Sequence, residues 1–302
     1  MEDLMFFDAN CRVGDHIEAY PGIPELLTDM DHYGVDKALV RHNNIPKAPL
    51  SSNAQIARML REDDPAQRLT GVWCILPDSC GEIPAPDEFF RQMKVNRIGA
   101  ITLSPIEHRY QPRRIVIGKI MDAAAERRIP VLLDAFANQW PLLYDFLERF
   151  PDNTFIYTEL AGKWGSDRNI RPLLETYENF YFEIARYWVP EGIRDLVEKY
   201  GSDRILYGSA FPAGNQGCGM LQLKHSGLDD DAIANVAGKN LERILKGAQL
   251  SISFIKSSVA GRWRVAKMQA LVVALFFSAS TNIPYAFSAY ARSSYFSSSG
   301  KV

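Results

Sequence analysis

The stretch Arg204-Ile-Leu-Tyr-Gly-Ser-Ala-Phe-Pro212 decides the predicted fold of this 302-residue chain. The apolar run at 205–207 is long enough for a buried strand but too short for a helix. Gly208 ends the run, and Pro212 cannot continue a β-ladder because it has no backbone N–H. In α/β folds ligands bind beyond the carboxyl ends of such strands, so Ser209 is a candidate site residue.

Outward from this stretch, apolar runs of strand length alternate with segments of helical periodicity. Such alternation indicates parallel strands joined by helical crossovers. Eight units of this size fit a single (β/α)8 TIM-type barrel better than an open doubly wound sheet, which is the alternative. We therefore predict an α/β barrel over residues 1–249 and a non-barrel tail over 250–302. The predicted strands lie near residues 5–10, 37–42, 69–75, 100–104, 131–136, 154–159, 180–184 and 205–207.

The composition is that of a globular protein, with 47% hydrophobic, 11% aromatic and 23% charged residues. A net charge of -2 gives no electrostatic reason to expect a nucleic-acid partner. The four cysteines show neither a C-x-x-C pair nor zinc-knuckle spacing, which indicates a reducing, cytoplasmic setting. The N-terminus has no basic segment followed by a long apolar run, so we expect no signal peptide.

Polar residues stand at or just after the carboxyl ends of the predicted strands, where a barrel collects its chemistry. Taken singly, each fits a solvated loop residue. Asp134 and Glu159, however, interrupt strongly apolar strands, where an unpaired carboxylate is costly. Arg12 is the candidate partner, because a guanidinium can bind carboxylates in bidentate fashion. The full set is Asn10, Arg12, Arg41, His42, Ser104, Asp134, Glu159, Glu183, Arg186 and Ser209.

Several stretches of the sequence resemble the amidohydrolase superfamily, in its amidohydrolase-related (amidohydrolase-2) branch. Phe6-Phe-Asp-Ala-Asn-Cys-Arg12 resembles the first strand of that family, and Leu206-Tyr-Gly-Ser-Ala-Phe-Pro212 resembles the eighth. Gly238-Lys-Asn-Leu-Glu-Arg-Ile-Leu245 resembles the closing helix, and the likeness covers residues 4 to about 247. The resemblance implies a barrel with a divalent metal at its mouth. It also implies hydrolysis, or carbon–carbon bond cleavage, of a small carbonyl or carboxylate substrate.

The family's metal-ligand positions are all changed in this chain. The two first-strand histidines correspond to Asn10 and Arg12, the fifth- and sixth-strand histidines to Asp134 and Glu159, and the eighth-strand aspartate to Ala210. Because a guanidinium repels a nearby cation, we expect no metal and no cofactor. Arg12 would stand in the metal's place, with Arg41 or a bound proton completing the charge balance. The alternative is an oxygen-ligand site for a hard ion, formed by Asn10, Asp134, Glu159 and Glu183.

Three functions remain open at this point. The first is a hydrolase or carbon–carbon lyase without a transition metal, with Asp134 or Glu159 as general base and Arg12 as carboxylate or oxyanion binder. The second is a catalytically inactive barrel that binds a ligand or a protein partner. The third is an enzyme that uses His42, the one histidine predicted at the carboxyl end of a strand. In the first, the residues predicted around the substrate are Asn10, Arg41, His42, Glu183 and Ser209.

Two further stretches are less informative. The glycine-containing segment 214–219 follows the eighth strand without a clear helix start, so we predict a flexible loop rather than an anion-binding turn. In the tail, the apolar run 268–277 is shorter than the roughly 20 residues of a membrane-spanning helix. We predict an appended, poorly packed segment, and weak contact with a membrane surface is the alternative.

Overall fold

The computed structural model describes residues 4–14, 20–137, 139–158 and 167–250. Eight parallel strands follow one another around a barrel in chain order, which confirms the predicted (β/α)8 architecture. Each strand pairs with the next one in the chain, as expected when helices provide the crossovers. The strands are β1 (Phe7–Val13), β2 (Lys37–His42), β3 (Leu69–Cys74), β4 (Ile98–Thr102), β5 (Val131–Leu132), β6 (Phe155–Tyr157), β7 (Phe180–Glu183) and β8 (Ile205–Leu206).

The helices surround the barrel and bury their apolar faces against it. The first of them begins after Gly22, whose N–H donates to the Glu25 carboxylate at 2.8 Å, and ends at Gly34 in the left-handed region. The helices are α1 (Ile23–Tyr33), α2 (Pro49–Asp63), α3 (Pro86–Val95), α4 (Arg114–Glu126), α5 (Trp140–Arg149), α6 (Asp167–Thr176), α7 (Gly192–Tyr200), α8 (Gln216–Lys224), α9 (Asp230–Ala234) and α10 (Asn240–Gly247). A π-helical turn, Asn235–Lys239, joins the last two.

The inside of the barrel is filled by one apolar side-chain layer that draws on β1 to β6 and β8. Strand side chains alternate between the two faces, so each strand contributes at most a few residues to this layer. Leu241 and Ile244 from α10 pack against the same cluster. The strand residues in the layer are Phe7, Ala9, Leu39, Val72, Ala100, Leu132, Ile156 and Leu206, with Tyr181 of β7 partly buried against them.

A bulge in β1 changes which of its side chains face the mouth. The pairing with β2 shifts by one residue between Asp8, opposite Ala38, and Cys11, opposite Val40. Because the side-chain period of a strand is two, one extra residue reverses the faces beyond it. Cys11 therefore joins the outer core, although Ala9 lies inside. The same reversal places Asn10 and Arg12 on the inner side of the wall.

The barrel closes between β8 and β1 with help from a buried carboxylate. Backbone bonds run from Ala9 N to Tyr207 O at 3.0 Å and from Arg12 N to Phe211 O at 2.9 Å. Asp8 Oδ1 accepts the N–H of Asn10 at 2.9 Å and the N–H of Ser209 at 3.0 Å. Asp8 is fully buried, and this burial raises its pKa despite those hydrogen bonds. The Asp8 side chain thus links β1 to the segment that follows β8.

Three sequence-based expectations need correction. β1 runs to Val13, so Arg12 lies in the strand rather than in an exit loop. β5 ends at Leu132, and the predicted remainder is a 3-10 turn at Asp134–Phe136, because the backbone turns away from the ladder there. The segment 214–219 is not a loop throughout. Asn215 caps α8 by accepting the N–H of Gly217 at 2.8 Å, which is the helix start that sequence inspection missed.

Two predictions lie outside the described residues. Glu159 is one, and the other is the tail from residue 251 onward, so the domain boundary near 249 stays a prediction. Within the described ranges, no helix combines the length and hydrophobicity needed to cross a membrane.

Asp8→Asn tests the closure of the barrel. The amide oxygen can still accept both N–H bonds, so the free energy of unfolding is expected to change by less than about 1 kcal/mol at neutral pH. Asp8→Ala removes both bonds and is expected to cost about 2–4 kcal/mol. Urea unfolding of the wild type and both variants measures these differences.

The same variants carry a pH signature. The pKa of Asp8 is raised in the folded state, so the folded protein holds that proton more tightly than the unfolded chain. The Asp8 contribution to stability is therefore lost as pH rises through the folded-state pKa. Stability of Asp8→Asn relative to wild type should accordingly increase as pH rises above about 3.9, the usual pKa of an aspartate in an unfolded chain. A relative stability that decreases over this pH range would contradict the account.

Candidate functional site

A polar layer lies two residues beyond the apolar layer on most of the strands. Side chains two apart in a strand share a face, so this layer stands directly above the apolar plug at the carboxyl end of the barrel. The step of two leads from Leu39 to Arg41, from Val72 to Cys74 and from Ala100 to Thr102. It continues from Tyr181 to Glu183 in β7. Asp134, Thr158 and Gly208 stand two residues after Leu132, Ile156 and Leu206, just beyond the ends of β5, β6 and β8. Apart from Asp134, all of these are buried.

Hydrogen bonds and ion pairs connect this layer across the mouth. Glu183 Oε2 accepts from Asn10 Nδ2 at 2.9 Å, and Asn10 Oδ1 accepts from Arg41 Nη1 at 2.9 Å. The Arg41 guanidinium is only 2% exposed, and its Nε lies 3.3 Å from Asp134 Oδ2. Thr102 Oγ1 donates to Asp134 Oδ1 at 2.7 Å. We call these five residues the mouth network.

Glu183 is held at the opposite end of the network from Asp134. It is 1% exposed, and its Oε1 accepts the backbone N–H of Ala185. Gly208 makes room for it, because a Cβ there would lie 2.3 Å from Glu183 Oε1. The glycine that ends the eighth strand in the sequence is therefore required by close approach of a carboxylate.

Arg12 stands beside the mouth network and reaches toward solvent. Its Nη2 lies 3.7 Å from Asp134 Oδ2, and its side chain is 29% exposed against 13% for Asp134. Burial alone would raise the pKa of Asp134, but the charges of Arg41 and then Arg12, with the Thr102 hydrogen bond, outweigh burial and lower it. Asp134 is therefore an ionised carboxylate at neutral pH. Both guanidiniums face the same oxygen of this carboxylate.

The remaining predicted residues occupy less accessible positions. His42 is 2% exposed, its Nδ1 accepts the N–H of Asn44 at 3.2 Å, and its ring packs against Gly14, where a Cβ would come within 2.2 Å of Nε2. Ser209 is buried, and its Oγ accepts the N–H of Phe211 at 3.0 Å. Ser104 is buried two residues after the end of β4, and Arg186 is half-buried after β7. The structure thus brings Asn10, Arg12, Arg41, Asp134 and Glu183 together.

Sequence reasoning missed Thr102 and Asp8. Thr102 carries a recognisable signal, because it is the one polar side chain of β4, whereas Asp8 lies in a strand that also contains Asn10 and Arg12. The prediction paired Arg12 with Asp134, Glu159 or both, and Glu159 lies outside the described residues. The structure adds that Arg41 is nearer to the Asp134 carboxylate and far more buried.

Arg41→Met should destabilise the fold much more than Arg12→Met. The first substitution takes the nearer of two guanidiniums from the mostly buried Asp134 carboxylate and the donor from Asn10 Oδ1, and loss of a buried ion-pair partner typically costs about 3–5 kcal/mol. The second removes a partly solvated pair, expected to be worth about 1 kcal/mol or less. Urea unfolding at pH 7 compares them, and Arg194→Met, on a surface helix, is the control. A larger loss for Arg12→Met would contradict this ranking.

Arg41→Met should also change how stability depends on pH. The folded-state pKa of Asp134 is lowered, so its stabilising contribution is present above the unfolded-state pKa of about 3.9 and is lost as pH falls through the folded-state pKa. Without Arg41 this dependence should flatten. Unfolding curves between pH 5 and pH 2.5 measure it, and an unchanged slope would count against the ion pair.

A sequence model of the amidohydrolase family (Amidohydro_2) matches residues 15–247, which is more than half of the chain. No curated protein sequence matches it. Among solved structures, an uncharacterised TIM-barrel protein from Bordetella bronchiseptica is 16% identical with a TM-score of 0.59. The match covers 81% of this chain and 99% of that one. 2,6-Dihydroxybenzoate decarboxylase from Rhizobium is 12% identical with a TM-score of 0.59, with 81% and 99% of the chains covered.

A third similar structure is a dihydroxybenzoic acid decarboxylase from Polaromonas with bound manganese and the inhibitor 2-nitroresorcinol. It is 12% identical with a TM-score of 0.56, and the match covers 80% of this chain and 97% of that one. Identities this low show a shared fold and nothing finer. The sequence model, in contrast, matches residues 15–247, which span β2 to β8 and all ten helices, and the chain belongs to the amidohydrolase family.

Proposed function

We propose that the protein binds a small carboxylate or carbonyl substrate at the barrel mouth and acts on it as a hydrolase or carbon–carbon lyase. The observation that carries this proposal is the Arg12 guanidinium, 29% exposed and oriented by an ionised Asp134 above the mouth network. A guanidinium in this setting can bind a carboxylate in bidentate fashion or stabilise a developing oxyanion. Family membership and the two decarboxylases that share the fold support the reaction class.

We infer that the described residues of the mouth do not fit the divalent metal of the family. Both ends of the Asn10 amide are engaged, one by Glu183 and one by Arg41. Asp134 Oδ2 lies within 4 Å of two guanidiniums, which would repel a metal cation bound there. Within the described ranges, no three His, Cys, Asp or Glu residues are grouped as a metal site requires. The positive charge of the mouth then comes from Arg12 and Arg41.

Arg12 and Asp134 have unequal roles in this proposal. Arg12 contacts the substrate, because it has the exposed surface. Asp134 holds Arg12 in place, and its lowered pKa makes it a weak proton acceptor at neutral pH. Glu159, which lies outside the described residues, therefore remains the second candidate for general base. The position of Asp134, and through it that of Arg12, is held from inside the barrel wall by Asn10, Arg41 and Glu183. This role does not require them to contact the substrate.

A ligand-binding barrel without catalysis is the second candidate function. This function is favoured by the lowered pKa of Asp134, the partly exposed carboxylate of the mouth network, because a carboxylate with a lowered pKa is a weak base. Glu183 is 1% exposed and bound to Asn10 and to a backbone N–H, which leaves it poorly placed to exchange protons with a ligand. Arg12 alone would still give such a barrel affinity for anions.

Binding and turnover by chelator-treated protein test the proposal. We expect benzoate and hydroxybenzoates to bind, with affinity reduced at least about tenfold in Arg12→Gln, because a charge-assisted contact is lost. Binding of benzamide, which has no charge, should be nearly unaffected by the substitution. Isothermal titration calorimetry measures both, and Arg194→Gln is the matched control on a surface helix.

Turnover separates the two candidate functions. Release of carbon dioxide from hydroxybenzoates, or hydrolysis of aromatic esters and lactones, by the chelator-treated protein supports the enzyme. Binding without turnover across the panel supports the ligand-binding barrel. Equal carboxylate affinity in wild type and Arg12→Gln would refute the role of Arg12 in both. Activity that appears only on addition of a divalent metal would refute the metal-independent reading.

A further inference from the structure

Thr102 is the final residue of β4, is fully buried, and has two acceptors within reach. Its Oγ1 lies 2.7 Å from Asp134 Oδ1 and 3.2 Å from the carbonyl oxygen of Leu132. The carboxylate is the stronger acceptor, since charge-assisted hydrogen bonds are shorter and stronger than neutral ones. The hydroxyl is therefore held between the carbonyl of Leu132, the last residue of β5, and the carboxylate of Asp134, two residues later.

Asp134 depends on this contact for its orientation because the strand no longer controls it. β5 ends at Leu132, and Asp134 begins a single 3-10 turn. With Oδ1 engaged by Thr102, Oδ2 is the oxygen that faces Arg41 Nε at 3.3 Å and Arg12 Nη2 at 3.7 Å. A rotated carboxylate would lose one or both of these ion pairs.

We infer that Thr102 is a positioning residue that fixes the Asp134 carboxylate so that its second oxygen directs Arg12 toward an anionic ligand. This inference rests on the proposed function, in which Arg12 binds the substrate. Thr102 itself has no exposed surface and acts only through Asp134. The division of work is then clear: Arg41 neutralises Asp134 from within the wall, Thr102 sets its orientation, and Arg12 meets the ligand.

Among the described residues, charged and titratable groups lie around Asp134 on three strands. Arg12 faces it from β1 and Arg41 from β2, and Cys74 lies nearby at the end of β3. Burial, with a smaller contribution from the Asp134 charge, raises the pKa of Cys74, so this thiol stays neutral. Thr102 supplies a hydrogen bond to the ionised form of Asp134 from β4. Removing that hydroxyl should therefore raise the pKa of Asp134.

Thr102→Val and Thr102→Ser test the inference in the full-length protein. Valine keeps the shape and removes the hydroxyl, whereas serine keeps the hydroxyl. We expect the Asp134 carboxyl carbon, followed by NMR and assigned with Asp134→Asn, to titrate at higher pH in Thr102→Val than in wild type. Benzoate affinity should fall about tenfold in Thr102→Val, the effect of one lost hydrogen bond to a charged group. Thr102→Ser should restore both values, and benzamide affinity should stay constant.

The outcomes separate this inference from the proposed function. An unchanged titration of Asp134 in Thr102→Val overturns the positioning role, and so does a serine variant that behaves like valine. The titration needs no ligand, so it decides the role of Thr102 even if wild type fails to bind benzoate. That failure would instead overturn carboxylate binding by Arg12. Thermal melting of both variants shows whether they remain folded under the titration conditions.

Discussion

The buried guanidinium of Arg41 constrains the rest of the mouth. Removing a charged group from water costs several kcal/mol, and that cost must be offset by an opposite charge and by hydrogen bonds. Asp134 provides the charge at 3.3 Å, and Asn10 Oδ1 provides an acceptor at 2.9 Å. Each of these partners is fixed in turn, Asn10 by Glu183 and Asp134 by Thr102. The five side chains therefore depend on one another, and changing one leaves a buried polar group unsatisfied.

A network of this kind can do part of the work of a metal ion. A divalent cation neutralises acidic side chains and presents positive charge to a substrate. Here the neutralising charge lies within the wall, on Arg41, and the presented charge lies at the surface of the mouth, on Arg12. A guanidinium has fixed geometry and stays charged over the whole physiological pH range, so it favours carboxylates and developing oxyanions. Because a guanidinium cannot activate water as a metal does, the metal-free site that we propose would perform a narrower range of reactions.

The fold was predictable because its signals repeat. Eight apolar runs separated by helical segments leave few alternatives to a barrel, and the eighth-strand and closing-helix stretches point to the family. The residues of the mouth were predictable as a set, because the barrel fold brings the carboxyl ends of the strands together regardless of which side chains contact one another. Their pairing was predictable only in part, because Arg12 was expected beside Asp134 but the deep burial of Arg41 and its bond to Asn10 were not. A one-residue bulge before Cys11 decides which residues of β1 face inward, and the local sequence gives no indication of this bulge. The local sequence also does not indicate that β5 ends at Leu132, although this early end makes the orientation of the Asp134 carboxylate depend on Thr102.

The central claim is that two guanidiniums, and no metal ion, neutralise Asp134 at the mouth. Anomalous X-ray diffraction from crystals grown with excess manganese tests it most directly. The account predicts that Arg41 remains between Asn10 and Asp134 and that no anomalous peak lies within about 2.6 Å of either Asp134 oxygen, the outer limit for hard-cation ligands. A manganese peak at that distance, with Asp134 as ligand and Arg41 or Arg12 displaced, would contradict it.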